Sequence, residues 1–261
     1  MYQASDFDII DMHTHPFLSS EQVIGQYWKP ESITDFVREM NKVGIYKFAG
    51  SVIYNTKGEF DFNAIAKLNA DALRIRDRYP DAYIPGIHVH GAYPQESCAM
   101  LHEMYAQGVR LIGELVPYSL GTGEYASDGM LEIFREAEKL GVLVSIHGCS
   151  EDKIAPVLLA CPNLQVILAH PGDTAVALER FEFVSRYDNL YIDISGTGMF
   201  RWGMLRYAID TCGVNKILFG SDMPVCSPGM NLGGVLSENL TFEEFKLVLG
   251  DNFRNMLNSL R

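Results

Sequence analysis

Apolar residues along this chain gather into short runs rich in Val, Ile and Leu, separated by longer stretches in which they recur every three or four positions. The runs suit strands buried on both faces, and the spaced stretches suit amphipathic helices. The first run, Phe7 with Ile9 and Ile10, ends in His13-Thr14-His15. Strand alternation puts Ile9, Asp11, His13 and His15 on one face. A polar and aromatic stretch with Tyr27 and Trp28 follows, then a helix that opens near Ser32 or Thr34 and stops at Gly44. An apolar run over 46–54 precedes a helix predicted over Asp61–Arg78, which Pro80 closes. The alternation then repeats, with strands at 83–89, 108–115, 141–147, 164–170, 190–196 and 216–222. Helices are predicted over 95–106, 128–140, 151–160, 173–186, 202–212 and 241–257.

About eight strand and helix pairs of this kind predict an α/β chain folded as a single-domain (β/α)8 TIM barrel over residues 1–261. An open doubly wound sheet is the competitor. It would have fewer strands and a glycine-rich phosphate loop after the first, and neither GxGxxG nor GxxxxGK[ST] occurs there. The segments after strands one, four and eight are long, whereas most turns after helices are short and carry a glycine. Length at the C-terminal ends of the strands marks the face on which barrels build their sites.

Composition narrows the function classes. The 261 residues are 48% hydrophobic and 21% charged, with a formal net charge of −12. Lysines and arginines form no stripe, so neither nucleic acid nor an anionic membrane is an expected partner. No secretory leader pattern and no apolar stretch near 18 residues is visible, and a cytoplasmic protein is expected. The five cysteines lack CxxC spacing, so thiols are expected rather than a disulfide framework. Cys149 and Cys226, each shortly after a candidate ligand, are candidate pocket-lining groups.

Polar residues end the predicted strands at equivalent places: His13 and His15 on the first, Glu114 on the fourth, His147 on the fifth, His170 on the sixth and Asp222 on the eighth. Four imidazoles and two carboxylates at one rim are a donor set for a divalent metal. The motifs DMHTHP, VSIHG, LAHPG and FGSDMP, in this order and across the whole chain, resemble those of the amidohydrolase superfamily, and most closely its amidohydrolase 2 branch of hydrolases and decarboxylases. The resemblance implies that His13, His15, His147 and Asp222 bind metal, and that His170 is a ligand or a catalytic acid/base. Glu114 departs from many relatives. Its LIGEL setting is similar to the GE element of TatD-type deoxyribonucleases, where the glutamate joins two metals.

Zinc is the expected ion, one or two per chain, with manganese or iron(II) as alternatives. Hydrolysis of an amide, lactone or ester of a small molecule is the expected reaction, with Asp222 moving protons. Decarboxylation of an aromatic or unsaturated acid is the alternative, and a barrel that binds without turnover is a third. A nuclease ranks lower because the acidic balance opposes phosphodiester binding. A homo-oligomer is expected from the resemblance alone.

Other residues carry weaker expectations. Of His88 and His90 at the third strand's end, one is expected to face the pocket and His90 to be the one that could touch substrate. His102 is expected in solvent. Asp11 and Asp193 share the inward parity of their strands and are candidate supports, since buried carboxylates need partners. Tyr27, Trp28, Tyr118, Phe200, Trp202 and Met230 are candidate rim residues, and Arg201 either meets a substrate carboxylate or lies in solvent.

Overall fold

The computed structural model describes residues 2–197 and 200–259. Eight parallel strands alternate with helices in the order β1 (Ile10–Thr14), α1 (Ile33–Lys42), β2 (Lys47–Ser51), α2 (Phe62–Arg78), β3 (Tyr83–Ile87), α3 (Pro94–Ala106) and β4 (Leu111–Leu115). A short helix α4 (Pro117–Leu120) precedes α5 (Asp128–Leu140), β5 (Leu143–Ile146), α6 (Glu151–Ala160), β6 (Val166–Leu168), α7 (Thr174–Arg186), β7 (Leu190–Asp193), α8 (Met204–Cys212) and β8 (Ile217–Leu218). The chain ends in α9 (Pro228–Leu236), α10 (Phe242–Lys246) and α11 (Asn252–Ser259).

The strands pair in sequence order, each with the next. Three backbone hydrogen bonds join the first and last: Met12 N–H donates to the Phe219 carbonyl at 2.9 Å, Asp222 N–H to His13 at 2.8 Å and His15 N–H to Met223 at 2.8 Å. The result is a nearly closed (β/α)8 TIM barrel, as the alternation predicts. The last two of these bonds also fix the strand-eight end against the histidine pair, so closing the sheet assembles part of the site.

Two apolar layers hold the barrel. Ile10, Met12, Ala49, Leu111, Leu143, Ile167 and Leu218 fill its interior, with Phe253 and Met256 of α11 packed against them from below. The larger layer lies between sheet and helices and includes Ile9, Ile112, Val144, Leu168 and Phe219. Ile9 therefore faces the helices while Ile10 and Met12 face inward, the opposite of the phase that simple alternation from His13 predicts. A register shift between Asp11 and Thr14 reconciles the two: the strand is irregular there, and the histidines are re-aimed into the barrel.

The predicted helix over 241–257 is interrupted. Residues Leu247–Asp251 form a π turn between α10 and α11. Within it the Val248 carbonyl accepts the Phe219 N–H at 3.0 Å, and Gly250 lies so close to the segment entering β1 that a Cβ there would meet the Asp8 carbonyl oxygen at 2.4 Å. The wider turn fits the helix to the barrel floor, a tertiary demand that helical spacing does not carry. Helix α9 was also not predicted, because its three glycines weaken the apolar pattern.

Candidate active site

The strand ends bring all six predicted donors together. The Glu114 carboxylate, 5% exposed, lies at their centre. Its Oε2 is 3.4 Å from His13 Nε2 and 3.3 Å from His15 Nε2. Its Oε1 is 2.7 Å from His147 Nδ1 and 3.3 Å from His170 Nε2. Asp222 Oδ1 completes the first side, 3.7 Å from His13 Nε2 and 3.5 Å from His15 Nε2. One oxygen of Glu114 thus serves the strand-one pair and the other serves strands five and six.

Local backbone geometry makes this convergence. On β5 ordinary alternation suffices, carrying Leu143, Ser145 and His147 to the inner face. On β4 a register shift between Ile112 and Leu115 turns Glu114 inward. His170 and Asp222 end their strands in the left-handed region, both at φ 65°, and they are the two non-glycine residues with positive φ among the described residues. Such a conformation is uncommon outside glycine, costs on the order of 1–3 kcal/mol and clusters at functional sites. Arg180 of α7 holds one of these turns, donating from Nη1 to the His170 carbonyl at 2.7 Å.

The far nitrogens of the rings are tied down. His15 Nδ1 donates to the Ser51 carbonyl at 3.0 Å, and His13 Nδ1 is 2.9 Å from Asp193 Oδ2. Ser195 Oγ bridges His13 Nδ1 at 3.1 Å and His170 Nδ1 at 3.0 Å, and also bonds Asp193. Each bond fixes which nitrogen faces the centre. Ser195 escaped the sequence reading, although its place two residues after Asp193 in the same predicted run, 190–196, was a usable signal. Arg180 left no signal at all. Asp193 is a support as expected, and Asp11 is too, though by another route: its Oδ1 accepts the Ser221 N–H at 2.9 Å and the His13 N–H at 3.2 Å.

Electrostatics favour a cation here. Burial opposes a charged His13 ring, yet Asp193 and Glu114 outweigh it and hold His13 well above the ordinary imidazole range. Burial likewise raises Glu114, but His13 and the hydrogen-bonded imidazoles around it win and keep it well below the usual carboxylate range. Asp222 is pushed up by burial, against the pull of His13, His15 and His170. No lysine or arginine lies within ion-pair distance of these carboxylates among the described residues. His13 Nε2 is buried without a hydrogen-bond partner and faces both Glu114 and Asp222. A buried imidazole nitrogen facing two carboxylates that no lysine or arginine pairs, among the described residues, fits a divalent ion that would take the place of the shared proton. Three overlapping trios have mutual ligand-atom separations within 4.8 Å: His13, His15 and Asp222; His13, His170 and Asp193; Glu114, His147 and His170.

The cluster floors a cavity of about 860 Å³, walled by segments after β1, β2, β4 and β8. The contribution after β2, Ile53 to Lys57, was not anticipated. Neither His88 nor His90 lines it. His88 Nε2 donates to the Val52 carbonyl at 2.8 Å and His90 Nε2 to the Phe60 carbonyl at 3.0 Å, so both pin loops. Of the six candidate rim residues only Tyr118 lines the cavity, with its hydroxyl 3.5 Å from His147 Nε2. Tyr27 and Trp28 line a separate groove with Cys226, and Cys149 lines a neighbouring cavity. Trp202 is 91% exposed, and Tyr27, Phe200 and Met230 are largely exposed too. Arg201 pairs with Asp173 at 2.6 Å. His102, half exposed, lies 2.8 Å from Glu136 rather than standing free in solvent.

The sequence profile described as Amidohydrolase matches residues 10–258. The chain belongs to the amidohydrolase family. This amidohydrolase is similar in fold to 2,6-dihydroxybenzoate decarboxylase from Rhizobium, with a TM-score of 0.68 at 16% identity over 97% of this chain and 99% of that one. It is also similar to a probable 2-pyrone-4,6-dicarboxylic acid hydrolase from Acinetobacter baumannii, with a TM-score of 0.71 at 16% identity over 97% and 100% of the two chains. A 5-carboxyvanillate decarboxylase from Novosphingobium aromaticivorans, solved with bound manganese, gives a TM-score of 0.70 at 14% identity over 97% of both. Curated protein sequences contain no significant match to it. No helix among the described residues is long and apolar enough to cross a membrane.

Proposed function

We propose that the chain is a metal-dependent hydrolase that cleaves an amide, lactone or ester bond of a small molecule. The observation that carries this reading is Glu114, whose two oxygens face two separate sets of imidazoles, so that one carboxylate would be able to serve two divalent ions. His13, His15 and Asp222 would hold one ion, and His147 and His170 the other. Zinc suits these nitrogen and oxygen donors, as do manganese and iron(II). Such ions supply Lewis-acid polarisation of a substrate carbonyl and ease the ionisation of water.

The chain's own groups do the rest. Asp222, raised by burial, is placed to accept the proton of the attacking water and pass it to the leaving group. Ser195 and Asp193 hold the rings of His13 and His170 in one orientation, and Val23, Ile53 and Val116 supply apolar parts of the cavity lining. The Tyr118 hydroxyl lies in the cavity beside His147, where it can donate to a substrate oxygen.

A second reading, decarboxylation, is supported by the activities of the dihydroxybenzoate and carboxyvanillate enzymes that share this fold. There the carbon–carbon bond to the carboxylate breaks and the vacated carbon takes a proton from an acid of the site. A panel of lactones, esters, amides and hydroxybenzoates assayed on metal-loaded protein separates the two. Hydrolysis without release of carbon dioxide is expected. Carbon dioxide release from the hydroxybenzoates, with no hydrolysis in the rest of the panel, would overturn the hydrolytic assignment.

A further inference from the structure

Hydrolysis divides a substrate in two. The bond from the carbonyl carbon to its leaving oxygen or nitrogen breaks, the hydroxyl of water goes to the carbon, and the proton goes to the leaving atom. A site for this reaction needs room on both sides of the reacting carbon. Beside the cavity of about 860 Å³ lies a second of about 630 Å³, between the segments after β4 and β5 and one face of α7. His147 and Tyr118 line both. The His147 ring turns Nδ1 to Glu114 at 2.7 Å, and the Tyr118 hydroxyl lies 3.5 Å from its Nε2. The two cavities therefore adjoin at a member of the donor cluster, with the half-exposed Tyr118 ring standing between them.

The second cavity has its own chemistry. Val176, Glu179, Arg180 and Phe183 recur at helical spacing and turn one face of α7 toward it. Tyr125 is buried and spends its hydroxyl on the Leu115 carbonyl at 3.0 Å, so its ring is what remains for the lining. The cations are engaged: Arg180 donates to the His170 carbonyl at 2.7 Å, Arg186 pairs with Glu151, and Lys153 lies 3.9 Å from Glu124. Glu179 and Glu182 line the cavity with no ion-pair partner among the described residues. An acidic balance of this kind disfavours an anionic ligand, and the Tyr125 and Phe183 rings favour an apolar one.

We propose that the second cavity receives the part of the substrate beyond the scissile bond, so that the preferred substrate is an ester or amide with two limbs, the second of them uncharged and apolar. This rests on the hydrolytic reading, but its test reads binding and needs no turnover. The probes are benzohydroxamate and N-phenylbenzohydroxamate, which carry one ring or two about the same metal-binding group, titrated calorimetrically into zinc-loaded protein. The N-phenyl compound is expected to bind about tenfold more tightly, the yield of removing part of one additional ring from water. N-(4-carboxyphenyl)benzohydroxamate, whose second ring is anionic, should bind no more tightly than benzohydroxamate.

V176W and E179W each place an indole in the second cavity from an exposed position on α7. Both should shrink the preference for the N-phenyl compound to less than about threefold and leave benzohydroxamate binding as in wild type. L178W, on the same helix but outside the cavity, should keep the full preference. Equal or weaker binding of the N-phenyl compound in wild type, or a preference that survives both V176W and E179W, would overturn the second pocket and leave the hydrolytic reading standing. Undiminished gain from the carboxylated ring would overturn the apolar, uncharged assignment of the limb. Failure of every probe to bind the zinc-loaded protein would overturn the pocket and count against the donor cluster as the reaction centre.

Discussion

At the residue scale, the site depends on individual groups whose protonation or conformation the barrel imposes. Asp222 combines a left-handed backbone, burial and contact with both strand-one histidines. D222N should fold normally and lose at least about 10²-fold in turnover of its best substrate; near-wild-type turnover in a kinetic assay would remove Asp222 from the mechanism. His88 illustrates a histidine with a different task. Burial pushes its pKa from 6.5 down to about 4, partly offset by its bond to the Val52 carbonyl. The unfolded chain then takes up a proton below pH 6.5 that the folded chain refuses until about pH 4. Stability from the neutral ring is fully present above pH 6.5 and is lost as the pH falls, to a total of about 3 kcal/mol. Urea unfolding of metal-free wild type and H88Q across this range should show the variant's acid limb flattened by that amount; parallel limbs would mean that His88 is not buried neutral.

At the element scale, the strand ends and the glycines beside them decide which way each donor side chain points. Gly196, at φ +69°, follows β7 so closely to His170 that a Cβ would lie 2.5 Å from Nδ1. G196A should displace the His170 ring, cost on the order of 1–3 kcal/mol in unfolding free energy and weaken metal binding in a chelator competition. Binding of wild-type strength would show that the ring is not held there. Gly148 and Gly172 play a similar part for Arg180, whose Nη1 would lie 2.5 Å and 3.1 Å from Cβ atoms at those positions. These features mark the boundary of what the sequence conveys. The barrel was legible because eight apolar runs alternate with helical spacing, and the six donors because each ends a run. The bulges in β1 and β4, the turns at His170 and Asp222 and the arginine clamp were not legible. They arise from the closing of the sheet and from contacts between α7 and two loops, which leave no periodicity in the chain. His88 and His90 misled for the same reason: an HxH pair at a strand end looks alike whether its rings meet a cavity or backbone carbonyls.

At the scale of the whole molecule, the six donors come from β1, β4, β5, β6 and β8, so an ion held by them ties together strands far apart in sequence. Ligand that binds only the folded state adds about 4 kcal/mol at a thousandfold excess over Kd, which for a domain of this size raises Tm by about 10 °C. Calorimetric melting before and after chelation should show a drop of that order, and an unchanged Tm would argue that no ion bridges the strands. The central claim is that one carboxylate is shared by two ions, and the metal content of purified protein, measured by elemental analysis after zinc loading and gel filtration, tests it most directly. The account predicts two equivalents in wild type and one or fewer in E114Q. A wild-type protein that retains no zinc, or a content that E114Q leaves unchanged, would contradict it.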